Sequence, residues 1–373
     1  MRVLHVITGL LAGGAEQQLR LLLRHTRHRA DVATLYNRGL VADGIEADGT
    51  PVVDLGMRGN RDLRALWRLV RLMRRGRYEV VHVHLYRACV YGRIAARMAG
   101  IPVVVTTEHS IGDHQIEGRP KTWGVRVLYL ATERLSDVTI AVSEAVRRRL
   151  VEWGVPEQRI EVIPNGLDLD ALAFDPAARR RVRADLGIPQ DAYVVGGVGR
   201  LERGKHFDAL VSALGPLLGS DRRLLLVGDG RERRRLGQLA QAVGAADRVV
   251  FTGERADVAA LLSAMDLLVS PSHEETFGAA VLEALAAGLP ALYVQCPALD
   301  GLSTTAARRV GGTVGELRQA LADQLRAAPR PRSRTPMTSL DRYAISTCSR
   351  AVDDLYELVA GGAARPALSR RPA

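Results

Sequence analysis

The sequence predicts an α/β fold in which two doubly wound, Rossmann-like domains face a central cleft. Short β-branched runs alternate with helical patterns over residues 1–165, and the alternation starts again near Tyr193. This pattern is typical of parallel sheets that carry helices on both faces. At 373 residues the chain is long enough for two complete hydrophobic cores.

The first domain is predicted over residues 1–168. Its strands are expected at the short apolar runs Val3–Thr8, Ala30–Leu35, Val52–Leu55, Val80–His84, Val103–Thr106, Val138–Val142 and Ile160–Ile163. Helical patterns lie between most of them, at Ala15–Arg27, Arg61–Arg75, Arg87–Met98 and Glu144–Trp153. The turn Pro164-Asn165-Gly166 closes the domain.

The second domain is predicted over residues 191–340, after an interdomain connection at 169–190 that holds an arginine-rich polar helix. Its strands are expected at Tyr193–Gly199, Arg223–Val227, Arg248–Phe251, Leu267–Ser270 and Ala291–Val294. Helices are expected to begin near Lys205, Arg231, Val258, Phe277 and Val314, and the last helical pattern covers Ala306–Ala328. After a proline-rich linker at 329–336, a C-terminal helix is predicted over 341–360, with packing back on the first domain as one option. Residues 361–373 are predicted to be disordered.

Composition and charge exclude several classes of protein. The net charge is +11, but it is spread over both halves and only 4% of the residues are aromatic, so no nucleic-acid partner is expected. The three cysteines lack disulfide or metal spacing, which suits a reducing cytoplasm. We find neither a signal peptide nor an apolar run of ~20 residues. We therefore expect a cytoplasmic location, with peripheral contact at the inner face of the membrane left open.

The most informative motif runs from His273 to Gly278 and is followed by Glu283. It comes directly after the buried run Met265–Ser270, and ligands of open α/β sheets bind beyond the carboxyl ends of strands. Glu275 and Glu283 are about two helical turns apart, which places both carboxylates on one face of one element. Gly278 opens a helix whose first N–H groups attract anions. Carboxylates that can bind hydroxyls, next to amides that can bind phosphate, indicate a sugar nucleotide as the ligand. The alternative is that the two glutamates are a chance pair on a surface helix.

Two further loops have residues suited to a diphosphate. Gly13 and Gly14 lie between the first strand and the first helix, where glycine lets a ligand approach the backbone closely. Arg200 and Lys205 occupy the equivalent loop of the second domain, and Lys205 is one of only two lysines in the chain. The plainer alternatives are a tight turn in the first loop and solvated charges in the second.

Histidines at two strands of the first domain have different interpretations. His109 follows the strand that ends in Thr106, so we expect it to face the cleft. His82 and His84 lie inside the strand Val80–His84, where core hydrogen bonds are the expected role.

Taken together, these residues resemble glycosyltransferase family 4, whose members are retaining enzymes of the two-domain GT-B fold. The resemblance covers about residues 1–295. Its motifs are Gly-Gly-Ala-Glu at 13–16, Thr-Glu-His at 107–109, Ala-Val-Ser at 141–143, Val-Ile-Pro-Asn-Gly at 162–166, Gly-Arg-x4-Lys at 199–205, Val-Gly-Asp-Gly at 227–230, Phe-Thr-Gly at 251–253 and Glu-x-Phe-Gly-x4-Glu-Ala at 275–284. Each motif is weak alone, but the order and spacing together are specific.

The resemblance implies a role for each candidate residue. The first domain would bind the acceptor and the second the donor nucleotide. Glu283 would bind the ribose, and Glu275 with the amides of Phe277 and Gly278 would contact the transferred sugar. Arg200 and Lys205 would neutralise charge at the diphosphate. Gly13, Gly14 and Gly228 would line the donor region, and His109 would contact the donor sugar. No cofactor is implied, and no metal is expected because we recognise no Asp-x-Asp motif that would carry a divalent cation. The segment 295–302 departs from the family pattern and looks shortened.

The implied reaction is transfer of a sugar, with retention, from a UDP- or GDP-sugar to a hydroxyl of an unidentified acceptor. Bacterial polysaccharide, glycolipid and natural-product pathways all fit. The alternatives are a non-hydrolysing sugar-nucleotide epimerase, which shares the two-domain architecture, and a nucleotide-sugar-binding protein without turnover.

The segment Arg61–Arg77 raises the question of a membrane contact. A helix here places Leu63, Leu66, Trp67, Val70 and Met73 on an apolar stripe, with seven arginines among the other positions. One interpretation is a helix that covers the sheet. The other is that its arginine-rich flank docks on anionic lipid.

Overall fold

The computed structural model describes residues 1–11, 13–113, 115–117, 119–302, 304–327, 334 and 337–362. Contacts divide the chain into two compact units. The first contains residues 1–167 and the chain from Arg342 onward, and the second contains residues 168–341. Most of the predicted linker at 329–336, and the predicted disordered tail from residue 363, lie outside the described residues.

The first unit is built on a seven-stranded parallel sheet. The strands of this unit are β1 (Arg2–Ile7), β2 (Arg29–Thr34), β3 (Val52–Asp54), β4 (Val80–His84), β5 (Val103–Glu108), β6 (Gln115–Ile116), β7 (Arg119–Pro120), β8 (Val138–Ala141) and β9 (Ile160–Val162). The sheet order is β3-β2-β1-β4-β5-β8-β9, while β6 and β7 form a separate small hairpin. The strand order reverses between β1 and β4, which is where ligands bind in doubly wound sheets.

Six helices connect the strands of the first unit: α1 (Gly14–His25), α2 (Leu40–Ala47), α3 (Leu63–Gly76), α4 (Tyr86–Ala99), α5 (Trp123–Glu133) and α6 (Glu144–Trp153). Side-chain caps fix several starting points. Asp62 accepts a hydrogen bond from the Ala65 amide at α3, and Ser143 does so from the Val146 amide at α6.

The second unit repeats the same architecture with a six-stranded parallel sheet. Its strands are β10 (Tyr193–Val198), β11 (Arg222–Val227), β12 (Val249–Phe251), β13 (Leu267–Ser270), β14 (Ala291–Tyr293) and β15 (Ala307–Arg309), in the order β12-β11-β10-β13-β14-β15. Its helices are α7 (Pro176–Asp185), α8 (Phe207–Leu214), α9 (Arg233–Ala242), α10 (Val258–Ala264), α11 (Ala279–Ala286) and α12 (Val314–Ala327). The predicted α/β class with two doubly wound domains is confirmed.

The last helix, α13 (Ile345–Ala360), packs against α1 and β5 of the first unit. Its Asp353 is buried and accepts hydrogen bonds from the Thr26 hydroxyl at 2.7 Å and from the Arg27 amide at 3.0 Å. Because Arg27 also pairs with Asp354, the end of α1 is tied to α13 by charge as well as by apolar packing.

Four segments differ from the sequence prediction. The connection predicted at 169–190 contains α7, which belongs to the second unit and packs on α10. Its fully buried Arg183 pairs with Asp266 at 2.8 Å, so charges that suggest a solvated linker are partly internal. The helical pattern over Ala306–Ala328 instead begins with β15, and its helix starts at Val314. The helices α2 and α5 were not predicted.

On α3 the apolar stripe differs from the prediction in part. Val70 and Met73 are buried as expected, and Leu69 joins them, whereas Leu63 and Trp67 are exposed. Among the helices of the described residues, none has both the length and the apolar character needed to span a bilayer.

Candidate functional site

In the second unit, the loops after β10, β11 and β12 are pinned together by their glycines. A Cβ at Gly228 would lie 2.1 Å from the Gly199 carbonyl oxygen, and Gly228 has a φ of +127°, so only glycine fits. The Gly228 amide donates to the Gly253 carbonyl at 3.0 Å. Gly228 was predicted to line the substrate. Its amide already donates to the Gly253 carbonyl, and its missing side chain lets the two loops approach each other.

The loop after β10 carries both predicted cations. The Leu201 amide donates to the Asp229 carbonyl at 2.8 Å, which fastens this loop to the one after β11. Arg200 is exposed, and its guanidinium makes no hydrogen bond or ion pair with any residue that the structure describes. Lys205 ends a short 3₁₀ turn, and its Nζ lies 2.6 Å from Oε1 of Glu275. The structure therefore brings two of the predicted site residues into direct contact.

The loop between β13 and α11 is braced on two sides. Ser272 Oγ donates to the Gly204 carbonyl at 3.2 Å, which joins this loop to the Lys205 turn. On the other side the Glu275 amide donates to Oε1 of Gln295 at 3.0 Å. Glu275 is thus held at its main chain by Gln295 and at its carboxylate by Lys205.

Gly278 opens α11, as predicted, because no other residue fits there. Its φ is +94°, and an added Cβ would lie 2.5 Å from Sγ of Cys296. Phe277 is buried, and its carbonyl accepts from the Ala298 amide at 2.9 Å. The segment 295–302, which looks shortened in the sequence, therefore supports the Glu275–Gly278 loop from beneath.

Glu283 lies inside α11, whereas Glu275 precedes the helix in the loop. The expectation that both carboxylates share one helix is therefore wrong, because α11 begins only at Ala279. Glu283 is partly buried, and within the described chain its carboxylate makes no hydrogen bond or ion pair. Burial raises the pKa of Glu283 to about 7. A partly buried carboxylate without a partner is suited to accept hydrogen bonds from a ligand.

In the first unit, Gly13 caps α1 and Gly14 is its first residue. A Cβ at Gly13 would meet only the flexible end of the Glu16 side chain, at 2.3 Å. A Cβ at Gly14 would meet no atom within 4 Å. Neither backbone conformation requires glycine. Packing within the protein therefore does not explain why residue 14 is glycine.

His109 follows β5 and is buried, with only 9% of its surface exposed. Its Nε2 lies 3.2 Å from Nδ1 of His84, and its own Nδ1 is buried with no hydrogen-bond partner among the residues that the structure describes. Burial lowers the pKa of His109 to about 4, so the ring is neutral near pH 7. His82 and His84 form core hydrogen bonds, as the sequence suggested.

Three residues that support the site were not found from the sequence. Gln295 and Cys296 follow β14 at its carboxyl end, and that position was the available signal. Ser272 lies directly after β13, beside Pro271. Each of these residues contacts the loop of Glu275 or that of Lys205, and none of them belongs to a recognisable motif.

Two features of the chain bear on metal binding. The expectation that the sequence has no Asp-x-Asp motif is wrong, because Asp168-Leu169-Asp170 is such a pair. It lies outside the predicted site loops, and Asp168 Oδ1 accepts from the Ala171 amide at 3.1 Å in a local turn. Elsewhere in the described residues, ligand atoms of His5, His82 and His84 lie within 4.8 Å of one another. Both ring nitrogens of His82 and of His84 are taken by protein partners.

Comparison with known proteins gives matches over both units. One family model, Glycosyltransferase Family 4, matches residues 12–171, and a second, Glycosyl transferases group 1, matches residues 178–326. The D-inositol 3-phosphate glycosyltransferase of Stackebrandtia nassauensis is 31% identical over 324 residues, which cover 79% of this chain and 71% of that protein. The 2-deoxystreptamine glucosyltransferase of Streptomyces kanamyceticus is 30% identical over 246 residues, 61% of this chain and 62% of that protein.

Among solved structures, Anabaena Alr3699/HepE in complex with UDP and glucose matches with a TM-score of 0.77. The sequence identity is 22%, and the match covers 97% of this chain and 98% of that one. At this identity the likeness shows a shared fold.

Proposed function

Because the chain belongs to glycosyltransferase family 4, we propose that it transfers a sugar from a nucleotide-diphospho-sugar to a hydroxyl group of an acceptor, with retention at the anomeric carbon. The observation that carries the proposal is in the second unit. There the Lys205–Glu275 pair, the start of α11 and the unpartnered carboxylate of Glu283 come from two adjoining loops and one helix.

The ribose of the donor is assigned to Glu283. An ionised carboxylate accepts hydrogen bonds from two neighbouring hydroxyls, and each charge-assisted bond contributes about 1.5–3 kcal/mol. Burial raises the pKa of this carboxyl group to about 7, and among the residues that the structure describes it has no hydrogen-bond partner. A ribose diol would supply the missing partners.

The diphosphate is assigned to Arg200, Lys205 and the start of α11. Arg200 is exposed and has no partner among the described residues, so its guanidinium is available for two phosphate oxygens. Lys205 is held by Glu275 at 2.6 Å, which fixes the position of its ammonium group before the donor binds. The helix start adds a partial positive charge. These charges stabilise the leaving group where negative charge develops.

Glu275 is assigned to the transferred sugar. In the reaction the bond between the anomeric carbon and the diphosphate breaks, and the sugar takes on positive charge. The acceptor oxygen attacks from the face that the diphosphate leaves, and a phosphate oxygen takes the proton of the acceptor hydroxyl. No nucleophile from the protein is required in this route. His109, Gly13 and Gly14 are assigned to the donor by family resemblance, and those roles stay predictions.

For the acceptor, the names of the two relatives suggest a class to try first. One acts on 2-deoxystreptamine and the other on D-inositol 3-phosphate, and both compounds are hydroxylated six-membered carbon rings. A cyclitol is accordingly our first candidate acceptor.

A second candidate is a lipid-linked acceptor at an anionic membrane. Trp67 on α3 is 56% exposed and Trp123 at the start of α5 is 80% exposed, with Leu63 and Val127 exposed beside them on the same helices. Both helices pack on α4, and arginines line the exposed side of α3. Exposed tryptophans flanked by arginine are suited to the interface between anionic headgroups and acyl chains.

The decisive experiment incubates the protein with UDP- and GDP-sugars, alone and with cyclitols or lipid-linked sugars. Release of nucleoside diphosphate that depends on the acceptor, together with an α-linked product from an α-linked donor, is the expected result. Conversion of the donor without an acceptor into an epimer would identify the epimerase alternative. Tight donor binding without any product would identify a binding protein.

A further inference from the structure

A line of histidines crosses a sheet face that buried parallel strands usually fill with apolar side chains. In the first unit, His5 on β1 is the register partner of His82 on β4, and His84 lies two residues further on the same face. His109 follows β5. The first three rings are at most 2% exposed.

Three of these rings form a continuous hydrogen-bonded chain. Nδ1 of His5 lies 3.1 Å from Nε2 of His84, and Nδ1 of His84 lies 3.2 Å from Nε2 of His109. The remaining ring, that of His82, lies tilted against His84 with centroids 4.1 Å apart, and its own hydrogen bonds go to Tyr356 and Thr107. The chain therefore runs from the interior of the sheet to the carboxyl edge where His109 lies.

The rings of this chain are neutral, which restricts how they can bond. Burial lowers the pKa of His5 to about 3 and that of His109 to about 4, and it holds the pKa of His84 well below its usual value. A neutral imidazole has one N–H and one lone pair. Each contact must pair an N–H with a lone pair, so only two arrangements satisfy both contacts. Either all three rings carry the hydrogen on Nδ1, or all three carry it on Nε2.

The free end of the histidine chain is Nδ1 of His109, which is buried and has no hydrogen-bond partner within the described part of the protein. In the first arrangement this nitrogen is a donor, and in the second it is an acceptor. A hydroxyl group can pair with either. An unpaired buried polar group is costly, so a ligand hydroxyl at this nitrogen removes a defect of the free protein.

We propose that His5, His84 and His109 form a coupled tautomer element, in which His5 and His84 are positioning residues that determine which nitrogen of His109 carries hydrogen. A sugar hydroxyl at Nδ1 of His109 selects one arrangement for all three rings. This part rests on the proposed function, which supplies the sugar. In the exchange from the first arrangement to the second, a proton leaves His109 Nδ1 for water, one proton crosses each hydrogen bond, and His5 Nε2 takes a proton from water. The net charge of the three rings does not change.

The test is nitrogen NMR on the full-length ¹⁵N-labelled protein, with two-bond correlations that show which ring nitrogen carries hydrogen. The expected result is one shared tautomer for the three rings, and a common change in all three, or in none, on addition of UDP-glucose. In His84→Leu the tautomers of His5 and His109 should become independent. His84→Asn, whose amide takes the place of Nδ1, should keep the bond to His109 only. The exposed His25→Leu is the control and should change nothing.

Kinetics provide a second measurement in the donor and acceptor pair that supports turnover. His84→Leu is expected to lower kcat/KM by about 10²-fold through misplacement of His109, and His84→Asn should recover most of that loss. Opposite tautomers on neighbouring rings, zinc bound by the three histidines, or a ligand that changes His109 without His84 would overturn the inference. Shared tautomers in a protein without transfer activity would support the coupled chain and count only against the proposed reaction.

Discussion

Replacement of Glu283 by glutamine tests the donor site and does not require a known acceptor. Burial raises the pKa of the Glu283 carboxyl group to about 7, above its ordinary value of 4.5. The native state therefore binds more protons than the unfolded chain between these values, and it loses stability as pH rises through this window. Full conversion of the shift amounts to about 3 kcal/mol at most.

Glutamine has the shape of the protonated acid but does not ionise. As the pH rises from 5 to 8, the free energy of unfolding of Glu283→Gln should therefore rise by about 2 kcal/mol relative to that of the wild type, as the linkage relation requires. Urea denaturation across this range measures the difference. Glu152→Gln, at an exposed position on α6, is the matched control and should show no such trend.

Nucleotide binding should show the opposite dependence, because the ribose requires the ionised carboxylate. Calorimetry of UDP binding is expected to show a wild-type affinity that falls roughly tenfold between pH 8 and pH 6, relative to Glu283→Gln. The comparison with the variant removes the titration of the nucleotide itself. A stability difference that is flat with pH, together with equal UDP affinity, would refute both the raised pKa and the assignment to ribose.

Four further predictions concern the other residues. Lys205→Ala and Arg200→Ala should each lower kcat by about 10²–10³-fold with smaller effects on KM, and near-normal turnover in both would remove the diphosphate assignment. Gly14→Ala should leave stability within ~0.5 kcal/mol of the wild type while weakening donor binding, whereas Gly278→Ala should cost about 1–3 kcal/mol because of its positive φ and the contact with Cys296. Transfer should persist in EDTA, and a strict requirement for Mg²⁺ or Mn²⁺ would contradict the role given to the cations. Arg71→Glu/Arg75→Glu should abolish sedimentation with anionic vesicles at low salt while Arg180→Glu/Arg181→Glu, an equal change of charge on α7, does not; equal loss in both pairs would indicate an effect of net charge alone.

The fold followed from the sequence because periodicity and strand-end glycines are local signals. The predicted strands of both sheets overlap the observed ones, apart from β15, and Gly14 and Gly278 begin α1 and α11 as expected. Gly278 illustrates why: its positive φ is a property of the chain at that point. What the sequence could not show is which charges are internal. Arg183 looks solvated until Asp266, from a distant strand start, is found 2.8 Å away.

The candidate site shows the same division. The motif spacing indicated Glu275, Glu283 and Lys205, but the ion pair between Lys205 and Glu275 joins residues seventy positions apart. Gln295 supports Glu275 from a segment whose sequence suggests a deletion. The core hydrogen bonds of His82 and His84 were predicted, but the chain from His5 through His84 to His109 was not, because it depends on the register of β1 against β4, which only the structure gives.

The return of α13 to the first unit has a consequence for biosynthesis. Residues 168–341 form the second unit as an insertion within the first, and the buried contacts of Asp353 and Tyr356 complete the first core. On the ribosome the second unit can thus finish folding while the first still waits for its final helix. A nonsense codon between residues 168 and 344 would release a chain in which residues 1–167 are fully translated but lack the helix that completes their core.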